Sequence, residues 1–172
     1  MVQNAGTSHI YGVEFESEWK ATPADYISAF LTYLHARYTV FNNGVDPQNP
    51  SVDIPSLAGN QLPNAPDESI RLEYRHDFPL WNGGALSPLV ASYWQSTSYS
   101  DAVNTPIYKI GGYSKTDFQL TYSDPSEHWK VQGYVQNIEN HAVRNADFEI
   151  FGGVYSDFNP PRTYGIRASY KY

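Results

Sequence analysis

Alternation of apolar and polar side chains at every second residue constrains the fold of this chain most, and it is clearest at residues 162–172. Tyr164, Ile166, Ala168, Tyr170 and Tyr172 share one parity, and small or basic residues fill the other. Because successive side chains of a strand point to opposite faces, this period predicts a β-strand with an apolar and a basic face. A soluble sheet would bury the apolar face in a core, whereas a membrane barrel would turn it towards lipid.

The same period recurs along the chain and predicts about seven strands, at residues 9–21, 26–41, 69–78, 85–99, 112–123, 129–136 and 162–172. We expect one face to carry the apolar residues Tyr11, Val13, Phe15, Ile70, Leu72, Tyr74, Phe118, Leu120, Val131, Val135, Ile166 and Ala168. We expect the other face to carry Glu14, Glu16, Arg71, Glu73, Gln119, Gln132 and Arg167. The parity of residues 26–41 and 85–99 stays open, because apolar residues occupy both parities there.

The predicted connections alternate in length. Those after the first, third and fifth strands are short turns, whereas residues 42–66, 100–109 and 142–161 form long loops. Outer-membrane barrels show this asymmetry, with short turns on the periplasmic side and long loops outside. The sequence therefore predicts an all-β, antiparallel meander forming part of a transmembrane β-barrel, or an open curved sheet if the chain is isolated.

Three segments carry a resemblance to TonB-dependent outer-membrane receptors. Pro160 to Tyr172 resembles their closing strand, with its Pro-Arg-Thr-Tyr-Gly entry and terminal aromatic residue. Leu57 to Pro66 resembles the Gly-Asn-x-Leu-Pro-Asn-Ala-Pro loop before a strand, and Val131 to Ile138 resembles the penultimate strand, which ends in Asn. The resemblance covers only the C-terminal part of the family's architecture, so we expect residues 1–172 to be a barrel segment without the plug domain and the TonB box.

The resemblance implies a function and a location. The full-length receptor would import a ferric siderophore, cobalamin or a carbohydrate across the bacterial outer membrane, and this segment would not transport alone. Its long loops would be extracellular and its C-terminus periplasmic. Its partners would be outer-membrane lipid, the remainder of the barrel and plug, the TonB complex through the missing N-terminal part, and the barrel-assembly machinery. That machinery would read the closing apolar row, which is Tyr164, Ile166, Ala168, Tyr170 and Tyr172.

Aromatic and charged residues extend the barrel interpretation. We expect an aromatic girdle at the short-turn end, formed by Trp19, Tyr26, Phe78, Trp81, Tyr122, Trp129, Tyr170 and Tyr172. We expect the polar face to line the lumen. There the glutamates at 14, 16 and 18 would pair with the alternating charges of residues 71–77 in an ion-pair lattice.

Composition argues against several other functions. The net charge of −7 is unsuited to nucleic acid, and the absence of Cys excludes thiolate chemistry. The five histidines do not occur at metal-ligand spacings, and no nucleophile motif is present, so we expect neither an enzyme nor a cofactor. The first residues carry no export signal, which predicts that a signal was removed or that the chain is a piece of a longer protein. The alternative from another class is a soluble β-sandwich that binds a ligand or sugar, which requires two stacked sheets.

Overall fold

Fourteen strands occur in the computed structural model, which describes residues 6–46, 48–49, 51–150 and 153–172. In chain order they are β1 (Thr7–Lys20), β2 (Asp25–Val40), β3 (Asn42–Val45), β4 (Asp53–Ser56), β5 (Glu68–His76), β6 (Phe78–Pro79), β7 (Ala85–Gln95), β8 (Ser98–Tyr99), β9 (Lys109–Ile110), β10 (Tyr113–Ser123), β11 (Trp129–Gln136), β12 (Arg144–Ile150), β13 (Gly153–Phe158) and β14 (Thr163–Tyr170). A single 3₁₀ turn, Pro106–Tyr108, is the only helical element in these ranges. No helix in the described part of the chain is long and apolar enough to cross a membrane.

The seven long strands form one sheet in the order β1-β2-β5-β7-β10-β11-β14, and β6 adds a short pairing to β7. Every neighbouring pair is antiparallel, so the sheet is a meander. It is not closed into a barrel. These strands correspond to the seven predicted from the period of two, and the predicted fold class is confirmed.

The register confirms the predicted division into two faces. Phe15 lies opposite Leu31, which lies opposite Ile70, and Phe118 lies opposite Val135. Because directly opposed residues share a face, the apolar sets of all seven strands fall on one side, called here the apolar face. The glutamates at 14, 16 and 18 and the β5 residues Arg71, Glu73 and Arg75 fall on the other, called the polar face.

The register also settles the two open parities. On β2, Ile27, Leu31 and Tyr33 belong to the apolar face and Phe30 to the polar face. On β7, the apolar-face residues are Leu86, Pro88, Val90, Ser92 and Trp94.

No hydrophobic core lies beneath the sheet in the part of the chain that the structure describes. Val13 is 67% exposed and Ile166 is 81% exposed, although both are apolar residues in strands. Only one large sheet occurs in the described ranges, beside three two-stranded hairpins. The β-sandwich alternative is therefore wrong, because no second sheet of comparable size covers the apolar face.

The long connections contain structure that the sequence did not predict. We name them loop L1 (residues 41–67), loop L2 (96–112) and loop L3 (137–162). They hold the hairpins β3-β4, β8-β9 and β12-β13. Within the three predicted loops, residues 47, 50, 151 and 152 lie outside the described ranges.

The division into faces predicts an alternating environment along β5, and the absence of native Cys allows single-cysteine variants. With the chain in lipid vesicles, a polarity-sensitive bimane label at Ile70→Cys or Leu72→Cys should emit at shorter wavelength and be quenched by nitroxide lipids. The same label at Arg71→Cys or Glu73→Cys should be quenched by aqueous iodide instead. Emission and quenching that do not alternate from residue to residue would contradict the assigned faces.

Candidate functional surfaces: the polar face and the loop layer

The polar face carries ion pairs along β5 and the residue that follows it. An Arg71 guanidinium nitrogen lies 2.5 Å from Glu73 Oε1, and Arg75 Nε lies 3.2 Å from Asp77 Oδ1. The predicted pairing of these residues with the glutamates of β1 is wrong. Strand β2 lies between β1 and β5, and it places uncharged residues between the two charged rows.

A cation–aromatic stack occupies the polar face near the short turns. The Tyr26 ring has the Lys20 ammonium 5.0 Å from its centroid and the Arg75 guanidinium carbon 4.0 Å away on the neighbouring strand. Such contacts are favourable because the ring face is electron-rich. A cavity of about 390 Å³ adjoins the stack, and Glu18 and Glu73 also line it. The predicted membership of Tyr26 in the aromatic girdle is therefore wrong, because its side chain is on the polar face.

Several of the other predicted girdle residues lie on the apolar face near the short turns. The ring centroids of Trp129 and Tyr170 are 4.7 Å apart. The Tyr170 and Tyr172 rings meet edge to face, with their centroids 5.4 Å apart. The Phe78 ring packs against the His76 ring, with 4.2 Å between the ring centroids. Trp81 differs, since it projects from its turn and is 96% exposed.

The five residues of the predicted assembly row lie at the edge of the sheet. Four of them belong to β14, whose outer edge has no partner strand in the described ranges, and Tyr172 follows the strand. All are exposed or half-exposed, and Tyr172 is fully exposed. This placement leaves their backbone and side chains open to a partner.

Loops L1 and L2 are joined by the Gly-Asn-Gln-Leu-Pro-Asn segment that carried part of the resemblance. Asn60 Nδ2 donates to the carbonyl oxygens of Ala102 at 3.1 Å and Val103 at 2.8 Å. The Asn104 side chain accepts from the Gln61 backbone N–H at 2.7 Å and donates to the Gln61 carbonyl at 3.0 Å. Gln61 is buried, so these bonds satisfy backbone groups that would otherwise be costly to leave unpaired.

A buried carboxylate joins loops L2 and L3. The Asp147 side chain is 1% exposed and accepts hydrogen bonds from the hydroxyls of Ser100 and Ser156, the latter at 2.6 Å. Arg144 compensates its charge, with Nε 3.4 Å from Asp147 Oδ1, and also donates to the Ile107 carbonyl at 2.5 Å. The three loops therefore form one hydrogen-bonded unit, called here the loop layer.

Asn137 explains the Asn that ends the penultimate strand. It adopts φ 55°, a left-handed conformation that Asn tolerates better than most residues, and its side chain is buried. Its Nδ2 donates to the His141 carbonyl at 3.0 Å, and its Oδ1 accepts from the His141 N–H at 3.0 Å. Asn137 thus turns the chain from β11 into loop L3, a role that the strand pattern alone did not reveal.

Two carboxylates outside the long strands have shifted pKa values. Burial raises the pKa of Asp101 in loop L2, although hydrogen bonds from Thr105 oppose this. Hydrogen bonds from Ser126 and then from the Trp129 backbone N–H lower the pKa of Asp124, which organises the turn before β11. Neither carboxylate lies in a group suited to a metal, since no cluster of three or more His, Cys, Asp or Glu residues occurs in the described ranges.

Comparison with known proteins identifies the family. The model of the family described as TonB dependent receptor-like, beta-barrel, matches residues 1–138. The chain belongs to this family. TonB-dependent receptors are outer-membrane receptors and transporters rather than enzymes.

Solved structures of TonB-dependent siderophore receptors show the same fold. The ferric yersiniabactin uptake receptor FyuA from Yersinia pestis superposes with a TM-score of 0.78 at 22% identity, over 97% of this chain and 24% of that one. The siderophore receptor PiuA from Acinetobacter baumannii gives 0.73 at 20% identity, over 94% and 21%. BauA, the ferric preacinetobactin receptor from the same species, gives 0.74 at 19% identity, over 95% and 22%. This chain therefore spans less than a quarter of the length of each receptor.

A search of curated proteins finds no match to this chain.

The loop layer generates a test of the L1–L2 junction. Asn104→Gly keeps a residue that tolerates the observed φ of 61° but removes the side-chain bonds to Gln61. Losing bonds worth on the order of 1 kcal/mol each should speed hydrogen exchange of residues 57–66 and 98–108 by about tenfold. Hydrogen-exchange mass spectrometry measures this.

Asn64→Gly is the matched control, because Asn64 in loop L1 has φ 56° and is exposed. Its exchange should stay close to that of the native chain. Equal acceleration in both variants would show that the Asn104 side chain does not hold the two loops together.

Proposed function

We propose that this chain is the C-terminal barrel wall of an outer-membrane receptor that binds and imports a scarce nutrient, with a ferric siderophore as the first choice. The observation that carries the proposal is the family match over residues 1–138, on a sheet with one apolar and one polar face. Import of cobalamin or a carbohydrate is the other possibility within the family. The siderophore class is favoured because the three similar structures are described as receptors for siderophores or their ferric complexes.

In this proposal residues 1–172 supply strands and outside loops only. The plug domain, the TonB box and the remaining strands belong to the rest of the receptor, and the TonB complex acts through that part. The chain alone would not transport, because a seven-stranded open sheet encloses no lumen. In lipid its unpaired edges would be unfavourable by several kcal/mol for each exposed backbone group.

The two ends of the sheet support an orientation. The short-turn end carries stacked aromatic residues on the apolar face, a composition typical of membrane–water interfaces. The opposite end carries the hydrogen-bonded loop layer. We therefore assign the loop layer to the extracellular side and Tyr172 to the periplasmic side.

An uptake measurement tests the nutrient class. The whole reading frame that contains this chain is expressed in bacteria that lack siderophore synthesis and their own ferric-siderophore receptors. Radioactive iron supplied as a panel of ferric siderophores should accumulate for at least one member, and an uncoupler of the proton gradient should abolish the accumulation. Uptake of labelled cobalamin or maltodextrin without any uptake of iron would contradict the siderophore class.

The proposal also assigns a role to the row Tyr164, Ile166, Ala168, Tyr170 and Tyr172. The barrel-assembly machinery would bind β14 by strand addition, with the backbone supplying hydrogen bonds and alternate side chains filling pockets. The open edge of β14 and the full exposure of Tyr172 support this assignment.

Paired substitutions at the chain end test the assembly role within the full-length receptor. Tyr172→Asp should lower the amount of folded, heat-modifiable barrel in the outer membrane, because it places a charge at the end of the apolar row. Lys171→Ala should leave that amount unchanged, because Lys171 belongs to the opposite parity and faces water. Equal amounts of folded barrel for the two variants would remove the assembly role of the terminal aromatic residue.

A further inference from the structure

The outer edge of β1 is the longest unpaired edge of the sheet. All fourteen residues of β1 fall within the stretch paired with β2, from Thr7 opposite Val40 to Lys20 opposite Tyr26. No strand within the described ranges lies on the other side of β1. Alternate backbone N–H and C=O groups along this side therefore have no ladder partner, and an edge of this kind binds a further strand wherever one is available.

The polar-face side of this edge carries an unneutralised row of acids. Glu14, Glu16 and Glu18 are exposed and about 7 Å apart in succession. The β2 residues opposite them are Thr32, Phe30 and Ser28, none of which is charged.

The acidic residues of β5 and of the position after it, on the same face, are paired with arginine. Glu73 in β5 and Asp77, the residue after it, each have an arginine of β5 within 3.2 Å. By contrast, no ion pair involving the three glutamates of β1 occurs in the described ranges. The only basic residue of β1 on their face, Lys20, lies over the Tyr26 ring.

Strand direction limits what can occupy the edge. The path from β1 to β14 contains six successive antiparallel pairings, so β14 runs parallel to β1. A second copy with its loop layer on the same side of a membrane would therefore offer its free strand β14 only in parallel. Although Arg167 of that strand is basic, parallel pairing is the less stable arrangement and is not the arrangement of bacterial outer-membrane barrels.

We infer that the outer edge of β1 pairs with an antiparallel strand that carries lysine or arginine opposite Glu14, Glu16 and Glu18. Opposite charges at directly opposed positions on one face stabilise a strand pair, and like charges destabilise it. The inference rests on the proposed function, in which the rest of the barrel supplies this strand antiparallel to β1, and it adds the charge pattern of that strand.

The first test measures binding of model strands to the chain in zwitterionic detergent micelles. One fluorescent 14-residue peptide alternates valine with lysine, and its twin alternates valine with glutamate. Measured by fluorescence anisotropy, the lysine peptide should bind about tenfold more tightly than the glutamate peptide, because its lysines would lie opposite the three glutamates of β1. In the variant Glu14→Gln, Glu16→Gln, Glu18→Gln this difference should disappear.

Each contrary result overturns the inference. Equal affinity of both peptides for the native chain would show that the charge of the partner strand does not matter. A preference that persists in the triple glutamine variant would place the charge selection elsewhere. A dimer that forms without peptide and cross-links β1 of one copy to β14 of another would make a second copy the occupant.

A second test uses the whole receptor in the outer membrane and does not require the isolated chain to fold. Glu14→Lys, Glu16→Lys, Glu18→Lys should lower the amount of heat-modifiable barrel several-fold, because like charges would face each other across the edge. The control places three lysines on the same face of the interior strand β10, at Gln119, Thr121 and Ser123, and should be tolerated better.

A native amount of folded barrel in the edge variant, or an equal loss in the interior variant, overturns the inference. Failure of the proposed function is distinguishable from this outcome. In that case the native receptor folds and shows the charge dependence at β1 but takes up no ferric siderophore.

Discussion

Backbone hydrogen bonding between neighbouring strands is the interaction on which the rest of this structure depends. The seven long strands are joined by antiparallel ladders, whereas no layer of the described residues covers either face of the sheet. In a water-soluble domain an uncovered apolar face of this size would be unfavourable. In a bilayer the same face is in its preferred solvent, and the ladders become essential because lipid cannot satisfy backbone polar groups. In that setting the edges of β1 and β14, which have no partner strand in the described ranges, are the positions at which further strands would satisfy backbone groups.

The distribution of buried side chains agrees with a sheet that has no covering layer in the described ranges. Among the described residues, most buried ones lie in the loop layer, and they include Phe41, Leu57, Gln61, Tyr108 and Val143. Asn and Asp side chains connect the loops there, as Asn104 does for L1 and L2 and Asp147 does for L2 and L3. The motifs that resemble the family are thus structural: one holds the loops together, and another turns the chain out of β11 at Asn137.

The sequence predicted the strands and both faces because alternation at a period of two is a direct consequence of strand geometry. It did not predict the parity of β2, where Phe30 is placed on the polar face by the register with Glu16 and Arg71. Tyr26 was assigned to the girdle because it lies next to a turn, but distance from a turn does not determine the face. The hairpins of L1, L2 and L3 were missed because their sequences are irregular and their pairing depends on contacts between loops. The predicted pairing of the β1 glutamates with β5 is wrong because β2 lies between them, as the predicted meander already requires, and two strand spacings of about 4.8 Å each separate the charged rows.

Hydrogen exchange of the β1 amides tests the central claim, that this sheet is an open barrel wall completed by other strands. The exchange rates of the amides of Thr7 to Lys20 are compared between the isolated chain in micelles and the full-length receptor in the same detergent. The account predicts that the amides on the outer edge of β1 exchange rapidly in the isolated chain and become protected in the receptor, whereas β7 is protected in both. Equal protection of these β1 amides in the two samples would contradict the account.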